Sequence, residues 1–267
     1  SVTGFSGQTP VLPGATIIDL AGAMQLALGV MSGLFARAQY GMGQKVATSA
    51  LGATLWLQQW ELQQCMVTGI PLSAQGSHVP NIEGPYGIYD TQDGGSFMFA
   101  NAQDEESWDA LCIFCELFEL MTDEAWNTPG KRLAASGDEP SPNEIRVLLR
   151  RGFASKTTDE WVEFMYSQPG LIMERVRDHN EVIADEQNAA NEYIVPMTMP
   201  VLGETQVVGN TIRLSETPGR VKGPAPELGA NTVQVLEELG FDPSEIDAVL
   251  KHNASIIKEF MDAESES

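Results

Sequence analysis

The sequence is short of positive charge: 15 Lys plus Arg stand against 37 Asp plus Glu, a formal net charge of −22. That balance excludes nucleic acid and an anionic membrane surface as partners of the chain as a whole. A polyanionic ligand would need a local basic pocket, one that another chain could supply. Cysteine is scarce too. Three residues, Cys65, Cys112 and Cys115, are too few for a disulfide framework. Cys112 and Cys115 form a C-x-x-C, but it lies inside an apolar helical run from Trp108 to Leu120, without the preceding strand of a redox motif. No second cysteine pair or nearby His completes a zinc site. The two read as small buried hydrophobes, no metal is expected, and free thiols point to a reducing cytoplasm. No secretory signal is visible, and the first residue is Ser.

What the sequence does have is 267 residues at 43% hydrophobic and 19% charged, a globular composition long enough for one large domain or two smaller ones. Its most telling stretch is Gly14 to Met24, where Asp19 opens a long apolar helix. From Leu20 to Ala36 only Gln25 and Ser32 are polar. A helix apolar on nearly all sides is buried in a core or in a membrane. Gly29 and Gly33 match a close-packing spacing found in membrane spans. The run is short for a span and is punctuated by Asp19 and Gln25, so a soluble core is expected, with those glycines admitting a neighbouring helix or strand. Asp19 is then expected at the N-cap, where free N–H groups and the helix dipole favour a carboxylate. Two roles stay open from the residues alone: a plain cap, or a carboxylate shielded from water and fit to be a covalent nucleophile.

Along the chain, residues 1–13 read as an ordered loop and 20–38 as the helix, ended by the turn Tyr40 to Gln44. Lys45 to Met66 reads as a second helix with Leu51, Leu55, Leu57 and Trp60 inside. Gly69 to Pro85 marks a boundary. Tyr86 to Ala100 predicts two strands around Asp93-Gly94-Gly95. Asp104 precedes a helix over 107–120. Ser141-Pro142-Asn143-Glu144 predicts a capping box, with its helix stopped by Gly152, and Thr157 to Glu160 starts another with Trp161, Phe164 and Met165 as core. Residues 180–191 predict a polar helix, 196–214 two strands joined at Gly209-Asn210, and 215–229 an extended linker. Short helices over 232–239 and 243–252 follow, and the acidic tail from Asp262 is expected to fray.

These residues carry a family resemblance. Asp19, Gly22, Gly29, Leu34, Arg37, Gly41-x-Gly43-Gln44-x-Val46 and Ser49 resemble the class III CoA-transferases, the CaiB/BaiF type that includes formyl-CoA transferase. The resemblance continues through Tyr89-x-Thr91-x-Asp93-Gly94, the Trp108 helix and Thr157-x-x-Glu160-Trp161. It closes on Ala225-Pro226-x-Leu228-Gly229-x-x-Thr232 and the final helices. It implies that Asp19 is the catalytic aspartate, attacking an acyl-CoA to give an anhydride and then an aspartyl-CoA thioester. It also implies that coenzyme A enters as acyl-CoA substrate with a carboxylic acid as acceptor, with Ala50 on the CoA. The glycine loop that closes over the aspartate would be Ile82 to Gly87, with Gly84, Tyr86 and Gly87 toward substrate. That loop lacks the consecutive glycines of formyl-CoA transferase, and Ala230-Asn231 stands where the family has Glu-His.

The implied fold is α/β: the C-terminal two-thirds of the family fold, part of a large domain plus a small α+β domain, in an interlocked dimer. Residues 1–75 and 197–267 would belong to the large domain and 76–196 to the small one. Most CoA-binding residues of the family lie in a preceding domain that this sequence does not match. The expectation is therefore a fragment, a cleaved chain or one subunit of a split enzyme, completed by an N-terminal-half polypeptide in a homo- or heterodimer. Alone, such a chain should be insoluble or partly unfolded. An α-methylacyl-CoA racemase shares the fold and the aspartate, and a noncatalytic subunit is a third reading.

Overall fold

A computed structural model describes residues 2–79, 82–133, 144–200 and 202–265. It falls into two compact units, residues 1–176 and 177–267.

The first unit opens on α1, Ile17–Tyr40, which ends where Gly41 turns left-handed at φ 74° and its N–H bonds Arg37 O. Ser49 then caps α2, Ala50–Leu57, its hydroxyl accepting from Gly52 N at 3.0 Å. After Gln58 the chain resumes as α3, Gln59–Thr68. The single helix expected over 45–66 is therefore two, because Gln58 leaves helical geometry at φ −101°, ψ 24°.

Packing between α1 and this segment runs along the small residues of α1. A Cβ on Gly29 would lie 2.8 Å from Val46 Cγ1, and one on Gly33 3.2 Å from Val46 Cγ2. The glycines thus admit an extended neighbour, as the spacing predicts. The expectation of a buried α1 is overturned: none of its residues is buried, and Leu51, Leu55, Leu57 and Trp60 are exposed as well. Only one side of α1 has a described neighbour, so its apolar circumference outruns what this chain lays against it. By length and composition alone α1 would suffice to cross a membrane.

Next comes an antiparallel sheet in the order β1-β2-β3: Gly87–Asp90, Ser96–Ala102 and Leu171–Arg175. The β1–β2 register pairs Gly87 with Phe99 and Asp90 with Ser96, leaving Asp93-Gly94-Gly95 in the turn as the sequence suggests. Alternation along β1 and β2 sends Tyr89, Phe97 and Phe99 to one face. On that face lie α4, Glu105–Phe114, α5, Glu119–Thr122, α6, Pro129–Leu133, α7, Glu144–Phe153, and α8, Thr158–Ser167. Asp104 caps α4, and Thr157 with Glu160 forms a reciprocal capping box on α8. The helix expected to run to Leu120 stops at Cys115, since Glu116 adopts φ 56°.

The core is aromatic. Phe153 stacks on Trp161 at 4.1 Å and on Tyr89 at 4.9 Å, and Phe114 stacks on Phe164 at 4.0 Å. Trp161 Nε1 donates to Phe153 O at 3.0 Å, which satisfies its polar end. Cys112 and Cys115 are free, and burial pushes both thiols up to about 12. They are the small hydrophobes expected. Gly152 does not stop α7 but sits within it. A Cβ there would lie 2.8 Å from Leu117 Cδ1 and 2.9 Å from Cys115 Cβ, so glycine serves close packing. The capping box placed at 141–144 lies largely outside the described residues.

The second unit contains α9, His179–Ala184, α10, Glu186–Ala190, the hairpin β4, Ile194–Met199, with β5, Gly203–Val208, then α11, Thr232–Glu238, and α12, Pro243–Ser265. The hairpin pairs Met199 with Gly203, so its turn is at 200–202 and not at Gly209-Asn210. Gly209 instead passes close to α10's exit, where a Cβ would lie 2.4 Å from Glu192 O. The final helix runs well past the expected 252, because Asp242 and Glu245 cap it reciprocally and no Gly or Pro interrupts it.

Candidate active site

Asp19 occupies the first turn of α1, with Thr16 and not Asp19 at the N-cap. Thr16 makes no side-chain capping bond; Ile17 N–H bonds Ala15 O at 2.9 Å, and the positive end of the dipole lies beside the Asp19 carboxylate without a capping hydrogen bond to it. Asp19 is exposed, and its carboxylate makes no hydrogen bond or ion pair with a described residue. The dry crevice expected around it is not formed by the described residues of this chain. The physical reason is the one that leaves α1 open: the apolar side chains flanking Asp19, among them Ile17, Ile18 and Leu20, are themselves uncovered.

Ala50 is the first residue of α2 and is exposed beside its Ser49 cap. The extended residues before it lie along α1, where Thr48 Oγ1 donates to Gln25 Oε1 at 3.4 Å. Ala50 and Asp19 are thus carried on two elements packed on each other.

The loop 82–87 has a different character. Gly84, Pro85 and Gly87 are buried and Tyr86 is half-buried. Gly84 is left-handed at φ 72°, and a Cβ there would stand 2.6 Å from Arg132 O. Its carbonyl accepts from Arg146 Nε at 2.6 Å, and Ile82 O accepts from another guanidinium nitrogen of Arg146 at 2.8 Å. Tyr89 Oη donates to Pro85 O at 2.6 Å. Glycine 87 faces His78, whose ring a Cβ would meet at 3.0 Å. These contacts seat the loop on the aromatic body. No described hydrogen bond joins it to Asp19.

Two residues of this seat are absent from the sequence reading. Arg146 is buried on the inner face of α7 beside Ile145 and Leu149, and burial lowers its pKa. Its spacing from Leu149 and Phe153 puts it on the apolar stripe, which is the signal that could have found it. His78 is buried, with Nε2 unpartnered among the described residues, while Nδ1 lies 3.1 Å from Ser77 Oγ. Desolvation first, then the charges of Arg146 and Arg150, brings its pKa down to about 4.

A second fixed point is Asp93 in the β1–β2 turn. Its Oδ1 accepts from Thr158 Oγ1 and from Thr91 Oγ1, each at 2.7 Å, and from Thr158 N at 3.0 Å. Those bonds hold its carboxyl well below the usual range and clasp the turn to the start of α8. Among the described residues no group of His, Cys, Asp and Glu is arranged to hold a metal ion.

Residues 1–232 match the model for CoA-transferase family III. The chain belongs to CoA-transferase family III. Related members include an acyl-CoA transferase of Fusarium pseudograminearum, 29% identical over 92% of this chain and 52% of its own length. A succinyl-CoA–D-citramalate CoA-transferase of Chloroflexus aurantiacus is 27% identical over 90% and 57%. A formyl-CoA:oxalate CoA-transferase of Streptomyces coelicolor is 28% identical over 92% and 62%. The crystal structure of a CaiB/BaiF family protein from Brucella suis superposes with a TM-score of 0.69 at 19% identity, over 89% of this chain and 59% of that one. That likeness shows the same α/β fold. The chain spans little more than half the length of the curated family III relatives it matches.

Proposed function

We propose that this family III chain transfers CoA from an acyl-CoA thioester to a carboxylic acid, with Asp19 as the covalent nucleophile. What carries the reading is the position of Asp19: a carboxylate in the first turn of an apolar helix, in a chain of this family. A carboxylate is ionised near neutral pH, and the helix end favours its charge. In the first step a carboxylate oxygen of Asp19 attacks the thioester carbonyl and the C–S bond breaks, giving a mixed anhydride and CoA thiolate. The thiolate then attacks the aspartyl carbonyl, forming an aspartyl-CoA thioester and releasing the donor acid as its carboxylate. The acceptor carboxylate attacks that thioester, and the returning thiolate attacks the acceptor's carbonyl. Acyl-CoA leaves and Asp19 is regenerated. Each adduct is itself a good acyl donor, so the steps need no metal, only exclusion of water from the anhydride.

Within the same proposal Gly84, Tyr86 and Gly87 lie toward substrate and Ala50 toward CoA. Residues 1–75 and 197–267 act as the large domain around residues 76–196. The water-excluding wall comes from another polypeptide, an N-terminal half or partner subunit in an interlocked dimer, laid over the exposed apolar side chains of α1. A cytoplasmic location, with no membrane or nucleic acid as partner, completes it.

Hydroxylamine added to the enzyme assembly turning over acyl-CoA tests the chemistry. A hydroxamate on Asp19 is the expected result, together with loss of activity in Asp19→Ala. Exchange of the substrate's α-hydrogen with deuterated solvent, with Asp19 unlabelled, would replace the transferase by a racemase. Full activity of Asp19→Ala would reduce the chain to a noncatalytic subunit.

A further inference from the structure

The loop Ile82 to Gly87 is held from behind by two buried side chains of the aromatic body. Arg146 on α7 meets it with separate nitrogens, Nε donating to Gly84 O at 2.6 Å and Nη2 to Ile82 O at 2.8 Å. Tyr89 on β1 donates from Oη to Pro85 O at 2.6 Å. Burial pushes the Tyr89 phenol well above its usual range, so it keeps its proton and stays the donor. Three carbonyls of the loop, at Ile82, Gly84 and Pro85, therefore face the body. Just past the loop Ile88 N donates to Ser77 O at 3.1 Å, which fixes its exit.

Burying a guanidinium is costly unless its donors are answered. An apolar side chain on this stripe of α7 would pack beside Ile145 and Leu149 without that cost. What the arginine adds is a rigid fork that sets two carbonyls in one geometry. The consequence shows on the loop's other side. A trans peptide sets its N–H opposite its C=O, and among the described residues no peptide is cis. Binding Ile82 O to the body thus turns the Glu83 N–H away from it. That N–H has no acceptor among the described residues, and Glu83 is exposed where Gly84 and Pro85 are buried.

We propose that Arg146 and Tyr89 are positioning residues for CoA transfer: they hold the loop Ile82 to Gly87 in one shape, so that it keeps water from the thioester on Asp19. Neither touches substrate, and the proposal rests on the transferase reading given above. With the loop loosened, water competes with the acceptor carboxylate. Its oxygen adds to the aspartyl carbonyl, the C–S bond breaks and the Asp19 carboxylate is regenerated. One of the water's protons ends on the CoA thiol and the other in solvent. Hydrolysis releases thiol and no new acyl-CoA, whereas transfer makes new acyl-CoA and no net thiol. The ratio of the two does not depend on how much enzyme is folded, so a merely structural loss leaves it unmoved.

The test measures free thiol and new acyl-CoA together in the enzyme assembly turning over acyl-CoA with a carboxylic acid acceptor. Arg146→Lys puts a point charge in place of the fork and should raise the ratio of hydrolysis to transfer about fivefold. Tyr89→Phe keeps the ring stacked on Phe153, loses one hydrogen bond and should raise it about twofold. Arg151→Met, further along α7 and paired with Glu119 at the surface, is the control and should leave the ratio unchanged. Should Arg146→Lys fail to assemble, Tyr89→Phe decides by the same ratio. A hydroxamate on Asp19 in the parent enzyme, with the parent's ratio kept in Arg146→Lys and Tyr89→Phe, overturns the positioning role alone. No hydroxamate in the parent overturns the transferase reading and the positioning role with it.

Discussion

Two regions of the first unit treat their apolar residues in opposite ways. The sheet β1–β3 with α4–α8 hides Trp108, Trp161, Tyr89, Phe97, Phe99 and Phe153 to the last 1% of their surface. The α1–α3 layer, no less apolar, leaves Met24 74%, Phe35 71% and Leu28 69% exposed. In the body, Trp161 Nε1 donates to Phe153 O and Tyr89 Oη to Pro85 O, whereas Trp108 Nε1 has no hydrogen-bond partner among the described residues. The helical layer has a tight seam along Gly29 and Gly33 and nothing described over the rest. Open apolar faces of this size mark interaction sites in folded proteins. The body covers its own core; under the function proposed above, the layer that carries Asp19 is half of an interface.

That contrast is open to attack by substitution, and the largest effect belongs to the body. Trp161→Ala removes the stacked ring beneath Phe153 and should cost about 3–5 kcal/mol in denaturant unfolding. Phe35→Ala on α1 should move the same transition by less than about 0.5 kcal/mol, yet weaken association with whatever covers α1. Equal losses from the two would erase the distinction. Next in size, Gly152→Ala forces a methyl against Leu117 and Cys115, and about 1–3 kcal/mol of destabilisation is expected, read as a fall in the denaturant midpoint.

A pH effect of intermediate size sits at His78. Its folded pKa of about 4 lies below the usual value of 6.5, so the unfolded chain binds the proton first as pH falls. Stability from keeping His78 neutral is complete above about pH 6.5, declines between 6.5 and 4, and levels off below. A shift of that size is worth about 3 kcal/mol at full strength, so a swing of about 2 kcal/mol is expected once solvent screening of the ring is allowed for. Unfolding measured across that window should show a shallower decline in His78→Gln than in the parent chain; identical slopes would remove the role. Smallest is Thr157→Ala, which breaks the capping box of α8 and should lower stability by about 1 kcal/mol in thermal unfolding.

Much of the body was legible in the sequence because its signals are local. Asp104 and Thr157 announce their helices by capping chemistry, and Asp93-Gly94-Gly95 announces the turn of the hairpin, all within a few residues of where they act. Signals that depend on distant partners misled. The apolar stretch after Asp19 reads as a core helix, since hydropathy reports what a helix needs covered and not which chain covers it. Gly152 and Gly209 read as punctuation, whereas each answers to a neighbour far along the chain, Leu117 and Glu192. Of the candidate site, the place of Asp19 at a helix start was legible to within one turn. The bonds of Arg146 to Gly84 and Ile82 were not, because an arginine on an apolar stripe gives no hint of which carbonyls it will meet.

The account turns on whether α1 is covered in the working enzyme. Oxidation of Met24 and Met31 by dilute peroxide, followed by peptide mass, measures that directly. Both should oxidise readily in the separate chain and be strongly protected in the assembly that turns over acyl-CoA, with Asp19 losing reactivity toward a carbodiimide in parallel. Equal oxidation of Met24 and Met31 in the active assembly and in the separate chain would contradict the account.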